Sequence, residues 1–440
     1  MVTSQPRLAI FLTNDLTGIS RGRAFPLADL PERMTAGVGW VPANLALTPF
    51  GEIGPNPFGP LGDLRLVPDA GSSGHRLSGL NGEPDLQAFL CDIVETDGQP
   101  WGGCDRGLAK RALEDLQREF GLTLKASFEH EFFLLGNESP ARAAFTLQDF
   151  RAVQGFLDAT MDGLQVAGVD PEMILREYGP EQFEVTMKPA HGLLAADRAV
   201  ILRDVVRDIA RQHKMRACFA PIIDPTSVGS GVHIHFSLET TGGDVATYEA
   251  GQPADLSRRA GQFVAGVLRH MPALCALTAP SVISYLRLTP HRWSASFNCL
   301  AYRNREAGIR ICPVNDSPGR QIANQFHLEF RASDATSSPY MSLAALVRAG
   351  LEGLRQQLPT PPLVDGDPAE LSAKQLQDMN IRRLPDSLPV ALEALQQDDV
   401  IFSWLPDVMR QSYLALKKAE MERTAKLDPA GQCDLYADFY

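Results

Sequence analysis

The segment K-A-S-F-E-H-E-F-F-L at 125–134 alternates with a period of two, the signature of an extended strand. Glu129 and Glu131 project from one face, and Phe128, His130 and Phe132 from the other. Any strand with one solvated face would carry such a pair. Its weight comes from what recurs downstream.

R-E-Y-G-P-E-Q-F-E at 176–184 sets Glu177 and Glu184 on either side of a Gly179-Pro180 turn, so a hairpin brings the two carboxylates together. S-G-V-H-I-H-F-S at 230–237 puts His233 and His235 on one strand face, and H-L-E-F-R at 327–331 does the same for Glu329 and Arg331. If Glu129, Glu131, Glu177, Glu184 and Glu329 converge, their like charges force several to protonate unless cations intervene. Two divalent ions would reduce the set to a single net negative charge. Oxygen ligands with one imidazole favour hard ions, Mg²⁺ or Mn²⁺, over zinc. Arg287, Arg303, Arg305, Arg310 and Arg331 supply a separate cationic cluster, in arginine rather than lysine, which suits bidentate binding of phosphate or carboxylate. Hard ions beside arginines describe a phosphoryl-transfer site. No G-x-x-x-x-G-K-[ST] loop and no G-x-G-x-x-G after a strand occurs, so neither a P-loop enzyme nor a Rossmann dehydrogenase has support.

Around these motifs the chain is an ordinary globular one of 440 residues, 44% hydrophobic and 21% charged, long enough for one to three domains. Its net charge of −12 disfavours nucleic acid and anionic membrane as partners. The seven cysteines are scattered with no C-x-x-C pair, which fits a reducing cytoplasm, and no apolar run reaches membrane-spanning length. The first hundred residues combine a strand-like Leu8 to Leu12 with the glycines and prolines of 51–62, the pattern of a small loop-rich β domain. Asp105 is placed to cap a helix through Leu108, Ala112, Leu116 and Phe120 that ends at Gly121, which sets a boundary of domains at 1–103 and 104–440. Beyond it, strands are expected around 124–135, 183–188, 217–222, 231–238 and 326–331, among helices that include one at 340–347 and a last one with Met409, Tyr413 and Leu416. The fold class is α+β.

The motifs E-H-E-F-F-L at 129–134, E-Y-G-P-E-Q-F-E at 177–184, G-S-G-V-H-I-H-F-S at 229–237, S-Y-L-R-L at 284–288, R-N-R-E-A-G-I-R at 303–310 and E-F-R with S-P-Y at 329–340 resemble, in order and spacing, the glutamine synthetase family. D-L-T-G-I-S-R-G-R at 15–23 resembles it more loosely. The resemblance implies a β-grasp N-terminal domain and a catalytic domain with a curved antiparallel sheet. It also implies a homo-oligomeric double ring in which a neighbour's N-terminal domain completes each site. By motif, Glu131, Glu177 and Glu184 would hold one Mg²⁺ or Mn²⁺ and Glu129, His233 and Glu329 the other. His235 and Ser237 would lie along ATP, Arg287 and Arg331 would bind the carboxylates of glutamate, and Arg305 and Arg310 would face the phosphates as catalytic groups.

The departures bear on the acceptor. Trp293, in S-Y-L-R-L-T-P-H-R-W-S-A-S, stands where ammonia-using members carry a flap glutamate, and G-V-G-W-V-P-A-N at 37–44 lacks their ammonium-pocket aspartate. Val228 replaces an asparagine, Ile222 and Asn324 replace lysines, and His327 replaces an arginine. The resemblance therefore implies an ATP-dependent ligase joining glutamate to an organic amine through an acyl phosphate, similar to γ-glutamylpolyamine and γ-glutamylamide synthetases, with Trp293 contacting the substrate. Ordinary glutamine synthesis and a non-catalytic scaffold are the alternatives. A cupin reading of His233-x-His235-x-x-x-Glu239 lacks its second half and leaves the glutamates unexplained.

Overall fold

The computed structural model describes residues 5–79, 83–136 and 143–440. Near the N-terminus, Leu8–Asn14 and Ser20–Pro26 form a hairpin whose turn is held by Asp15, its Oδ1 accepting the N–H groups of Thr17 at 2.9 Å and Ile19 at 3.0 Å. The same first strand pairs in parallel with Leu86–Glu95 inside a six-stranded sheet. The glycine- and proline-rich 51–62 stretch contributes no strand, only an isolated bridge between Leu47 and Ile53.

Helix Asp105–Phe120 follows and ends at Gly121, whose φ of 60° is the left-handed conformation glycine adopts without penalty. Its cap differs from the expected one. Cys104 is the capping residue, its Sγ accepting from Gly107 N–H at 3.2 Å, whereas Asp105 turns inward and accepts from the Ser338 hydroxyl. Asp105 thereby ties this helix to the start of helix Pro339–Arg355.

Among the described residues the larger sheet has ten strands, with Leu122–Leu135 near its middle. Val232–Thr240 and Gln182–Met187 flank it antiparallel, and Leu328–Phe330 and Ala307–Ile311 extend the sheet beyond Val232–Thr240. Contrary to the expectation, the sheet is not wholly antiparallel: Phe297–Tyr302 runs parallel to Ala307–Ile311 and to Leu363–Val364. The chain returns along 303–306 instead of turning in a hairpin, and this return carries Arg303 and Arg305. Two expected strands are also shorter than their apolar runs, Arg216–Cys218 and Leu328–Phe330. Past Cys218 the backbone pairs with the chain terminus, Phe219 N–H donating to Tyr440 O at 2.9 Å, so no strand partner is available. Helix Asp407–Thr424 buries Met409, Tyr413 and Leu416 as expected, but it is not the last, for Pro429–Ala437 follows, with Pro429 in the first turn where no N–H is needed.

The apolar faces of Leu122–Leu135 and Val232–Thr240, including Phe128, Phe132, Ile234 and Phe236, are buried in one continuous core. Helix Leu193–Gln212 packs against Leu122–Leu135, and Arg258–Thr278 packs on Pro339–Arg355. Among the described residues no helix is long and apolar enough to cross a membrane.

The last helix pair closes through glycine. A Cβ on Gly353 would fall 2.0 Å from Gln262 O and 2.6 Å from Gly266 N. Alanine is the better helix former by about 1 kcal/mol, but overpacking costs about 1–3 kcal/mol and here the obstacle is backbone. Gly353→Ala should therefore lower the unfolding midpoint in urea, whereas a midpoint at or above the parent's would show that the helices part without cost.

Candidate active site

Strand register assembles the site. Glu131 lies opposite Glu184, and Glu129 lies opposite His233. On the next ladders His235 is opposite Glu329, and Glu329 opposite Arg310. Because alternate residues share a face, these side chains form one polar field over the sheet whose other face is the phenylalanine core.

Glu129 is the hub. Its Oε1 receives His233 Nδ1 at 2.7 Å and its Oε2 receives His235 Nε2 at 3.2 Å. Ligand atoms of Glu129, His233 and Glu329 lie within 4.8 Å of one another, and so do those of Glu129, Glu131 and Glu184. The first group is the set the resemblance implied for one ion. The second differs: Glu177 stands off, its Oε2 turned back to accept Tyr178 N–H at 2.9 Å, while Glu129 serves both groups. The hairpin that carries Glu177 is as expected, with Gln182 N–H donating to Gly179 O at 3.2 Å.

The charge balance of these groups fits divalent ions. Burial, partly offset by Arg287, lifts the Glu131 carboxyl to about 7. Burial and then the neighbouring Glu129, Glu131 and Glu177 charges lift Glu184 to about 10. Glu177 is also raised by burial. Glu329 goes the other way: burial pushes it up, but Arg331, His235 and His233 hold it at about 2. Burial and the Arg331 charge bring His233 down to about 4, so this imidazole is neutral and able to ligate at Nδ1.

The arginines divide into inner and outer ones. Arg310 donates to Glu329 Oε2 at 2.7 Å, and Arg331 donates to Glu329 Oε1 and, at 2.9 Å, to Trp293 O. Arg287 is buried and donates to His233 Nε2 at 3.1 Å and Ser333 O at 3.2 Å. Glycine makes this approach possible, since a Cβ on Gly231 would meet Arg287 Nη2 at 2.2 Å and His233 Nε2 at 2.7 Å. Arg305 is exposed, its guanidinium 5.9 Å from the Trp293 ring centroid.

Trp293 is 60% exposed, with φ of 53°, and its ring lies 5.5 Å from that of Tyr178. It is therefore not a core residue under the loop. The loop is held by Glu306, whose carboxylate accepts the N–H groups of Trp293 at 2.8 Å and His291 at 3.2 Å. Sequence reasoning missed Glu306, and it missed Tyr178 and Cys312. Cys312 is legible in hindsight, two residues past Arg310 and thus on the same strand face.

Beside Glu129 a cavity of about 590 Å³ is lined by Lys125, Ser127, His235, Ser237, Asn324 and His327 among others. That volume suits a small-molecule ligand of cofactor size. His235, Ser237, Asn324 and His327 all line this cavity, with the His235 and His327 rings side by side at 5.2 Å.

A class of fold and site is now defined: a small β domain joined to a sheet that gathers carboxylates able to hold metal ions beside a cavity of cofactor size. The glutamine synthetase catalytic-domain model matches residues 102–430 and the glutamine synthetase N-terminal-domain model residues 2–101. The chain belongs to the glutamine synthetase family. It is 33% identical over 436 residues to the γ-glutamylpolyamine synthetase GlnA3 of Streptomyces coelicolor, covering 96% of this chain and 91% of that one. It is 29% identical to the glutamine synthetase of Pyrococcus furiosus over 418 residues, 93% of this chain and 88% of that one. A crystal structure described as a novel glutamine synthase homolog superposes with a TM-score of 0.91 at 45% identity, each chain fully covered. A GmaS/ADP complex shares the fold, with a TM-score of 0.81 at 24% identity over 97% of this chain and 95% of the other. Enzymes of the family are ATP-dependent ligases that use divalent ions such as Mg²⁺ or Mn²⁺.

Raised carboxyls carry protons that a divalent ion must displace. With Glu131 at about 7 and Glu184 at about 10, both hold protons at pH 6 and shed them as pH rises. Mn²⁺ affinity should therefore increase with pH above 6, and at pH 7 binding should release more than one proton per site. Calorimetric titrations in buffers of differing ionisation enthalpy give that number directly. A value near zero would mean that the carboxylates are already ionised without metal.

Proposed function

We propose that this chain is an ATP-dependent ligase that joins the side-chain carboxylate of glutamate to an organic amine, giving a γ-glutamyl amide. The observation that carries the reading is the gathering of Glu129, His233 and Glu329 on one sheet face, beside a cavity and an arginine cluster. In this reading Glu129, His233 and Glu329 hold one hard ion, and Glu131, Glu184 and Glu129 hold another, with Glu177 as the nearby reserve. Ions there supply positive charge against the triphosphate as its γ-phosphorus is attacked.

The chain's own groups do the rest. His235 and Ser237 line the nucleotide wall, while Arg305 and Arg310 lie toward the transferring phosphoryl group. A ligating His233 Nδ1 leaves the ring proton on Nε2, which faces Arg287, so that guanidinium loses an acceptor and becomes available to a substrate carboxylate. Arg331, held between Glu329 and the Trp293 carbonyl, orients the loop over the same region. A glutamate carboxylate oxygen then attacks the γ-phosphorus, ADP leaves, and the amine nitrogen displaces phosphate from the resulting acyl phosphate.

The acceptor is read from Trp293. Capturing ammonium requires anionic groups in a closed pocket, because a desolvated cation without partners is costly. The loop position offers an exposed indole between Tyr178 and Arg305, and Glu306 is turned into the loop by its two backbone donors. An alkyl or aryl amine would bury carbon against that indole at about 0.8 kcal/mol per methylene, and a polyamine cation can also sit over its face. Similarity to the γ-glutamylpolyamine synthetase of Streptomyces coelicolor supports an organic amine.

Phosphate release from ATP, with glutamate and a panel of ammonia, a short alkylamine, an aromatic amine and a diamine, tests the reading. An organic amine should have the highest kcat/KM, and ammonia preferred over all of them would return the chain to ordinary glutamine synthesis. Glu129→Ala should lower kcat at least ~100-fold. Undiminished turnover in that variant would remove the metal assignment, and no turnover with any acceptor would favour a scaffold.

Trp293→Ala should raise KM for the preferred amine roughly tenfold, the worth of one desolvated aromatic contact, and leave KM for ATP unchanged. Equal effects on both would place the indole in loop packing instead. We also propose a homo-oligomer whose N-terminal β domain completes a neighbour's site, with its boundary at 103/104. Light scattering coupled to size exclusion should give a multiple of 48.0 kDa, and a fully active monomer would refute it.

A further inference from the structure

Cys312 and His327 have no part in the proposed phosphoryl transfer, and they form a cluster with His235 at the edge of the nucleotide wall. Cys312 ends the Ala307–Ile311 strand and His327 precedes Leu328–Phe330, so the two face each other at the base of the 313–326 loop, with Cys312 N–H donating to His327 O at 3.2 Å. His235 reaches them from the neighbouring strand. One ligand atom from each of the three lies within 4.8 Å of the other two.

The tautomers are dictated from outside the cluster. His327 Nδ1 is 2.7 Å from Gln325 O, a carbonyl that can only accept, so Nδ1 carries the proton. His235 Nε2 is 3.2 Å from the Glu129 carboxylate, so Nε2 carries the proton there. In the neutral rings, both remaining nitrogens, His235 Nδ1 and His327 Nε2, then present lone pairs to each other across 3.1 Å. Two facing lone pairs at that separation are relieved either by a proton held between the rings or by a metal ion that both nitrogens ligate. Cys312 Sγ supplies the third donor, 3.7 Å from His235 Nδ1.

The spacing fits a four-coordinate ion. Zn–N of about 2.05 Å and Zn–S of about 2.3 Å place tetrahedral nitrogens about 3.4 Å apart and nitrogen and sulfur about 3.6 Å apart. The observed 3.1 and 3.7 Å bracket those edges. Both imidazoles already donate their far N–H to a carboxylate or carbonyl, the arrangement that orients metal-ligating histidines. Sγ also lies 3.7 Å from Glu329 Oε2, whose charge Arg310 and Arg331 already balance.

We propose that His235, Cys312 and His327 bind a borderline-soft divalent ion of the Zn²⁺ class, separate in donor chemistry from the hard-ion groups around Glu129. The fourth position lies on the side of the cavity that His235 and His327 line, where water or a ligand oxygen completes the tetrahedron. Such an ion clamps the base of the 313–326 loop to the strand that carries His233.

The full chain, held in excess Mg²⁺ to fill the hard sites, is titrated with Co²⁺ as the optical probe. One equivalent should produce thiolate-to-cobalt charge-transfer absorption with intense tetrahedral bands, and Zn²⁺ should bleach both. Cys312→Ser should remove the charge-transfer band, and His327→Gln should weaken Co²⁺ binding at least tenfold. Circular dichroism and metal-free melting of each variant control for folding. All seven cysteines of the unmutated protein are buried and free, so alkylation in peptide mapping reads local opening, and Zn²⁺ should slow it at Cys312 with the other six as internal references. No thiolate band in the parent, the same band in Cys312→Ser, or alkylation of Cys312 unchanged by Zn²⁺ would each overturn the site. None of these readouts requires ligase activity, so a failure here is distinct from a failure of the proposed reaction.

Discussion

The Glu129 carboxylate sits where two imidazoles donate to it while Glu131, Glu184 and Glu329 crowd it with like charge. Everything near it is arranged to keep that charge buried and matched. The phenylalanine face beneath excludes water, and the histidines opposite supply donors. Without metal the cost falls on Glu131 and Glu184, whose carboxyls are forced toward their protonated forms. Buried like charges are a reservoir of unfavourable free energy that ion binding releases. The site is therefore destabilised by design until loaded, a common relation between function and stability.

Around this centre the arginines act as struts more than as free cations. Arg331 links Glu329 to the carbonyls of Trp293 and Arg305, and Arg287 links His233 to the backbone at Ser333. A guanidinium offers five donors in a fixed plane, so one residue can join a ligand carboxylate to two loops at once. Lysine in either place would keep the charge and lose the geometry. The candidate metal-ligand group at Glu329 and the Trp293 loop are thus mechanically continuous through Arg331.

The loop that carries Trp293 is fastened by a carboxylate from outside it. Glu306, in the 303–306 return, accepts the N–H groups of His291 and Trp293. The surface presented outward is indole, phenol and guanidinium. Such a surface can receive carbon and delocalised charge, and it is on this ground that an organic amine is proposed as the acceptor.

The alternation at 125–134, the Gly-Pro hairpin and the paired histidines were sufficient in sequence to place Glu129, Glu131, Glu184, His233 and Glu329 on strand faces. Side-chain direction at period two is a local property. Which strands lie side by side is not local, and register made Glu129, where the resemblance implied Glu177, the third member of the group with Glu131 and Glu184. The Asp105 cap, the parallel pairing of Phe297–Tyr302 and the truncated strand after Cys218 were likewise decided by distant partners, Ser338, Leu363–Val364 and Tyr440. Cys312 and His327 stood in the sequence as an odd cysteine and a substituted arginine. Only the pairing of the strands that bear them, and the third strand bringing His235, put three donor atoms within reach of one ion, because ligand distances are set by packing across the sheet and not by spacing along the chain.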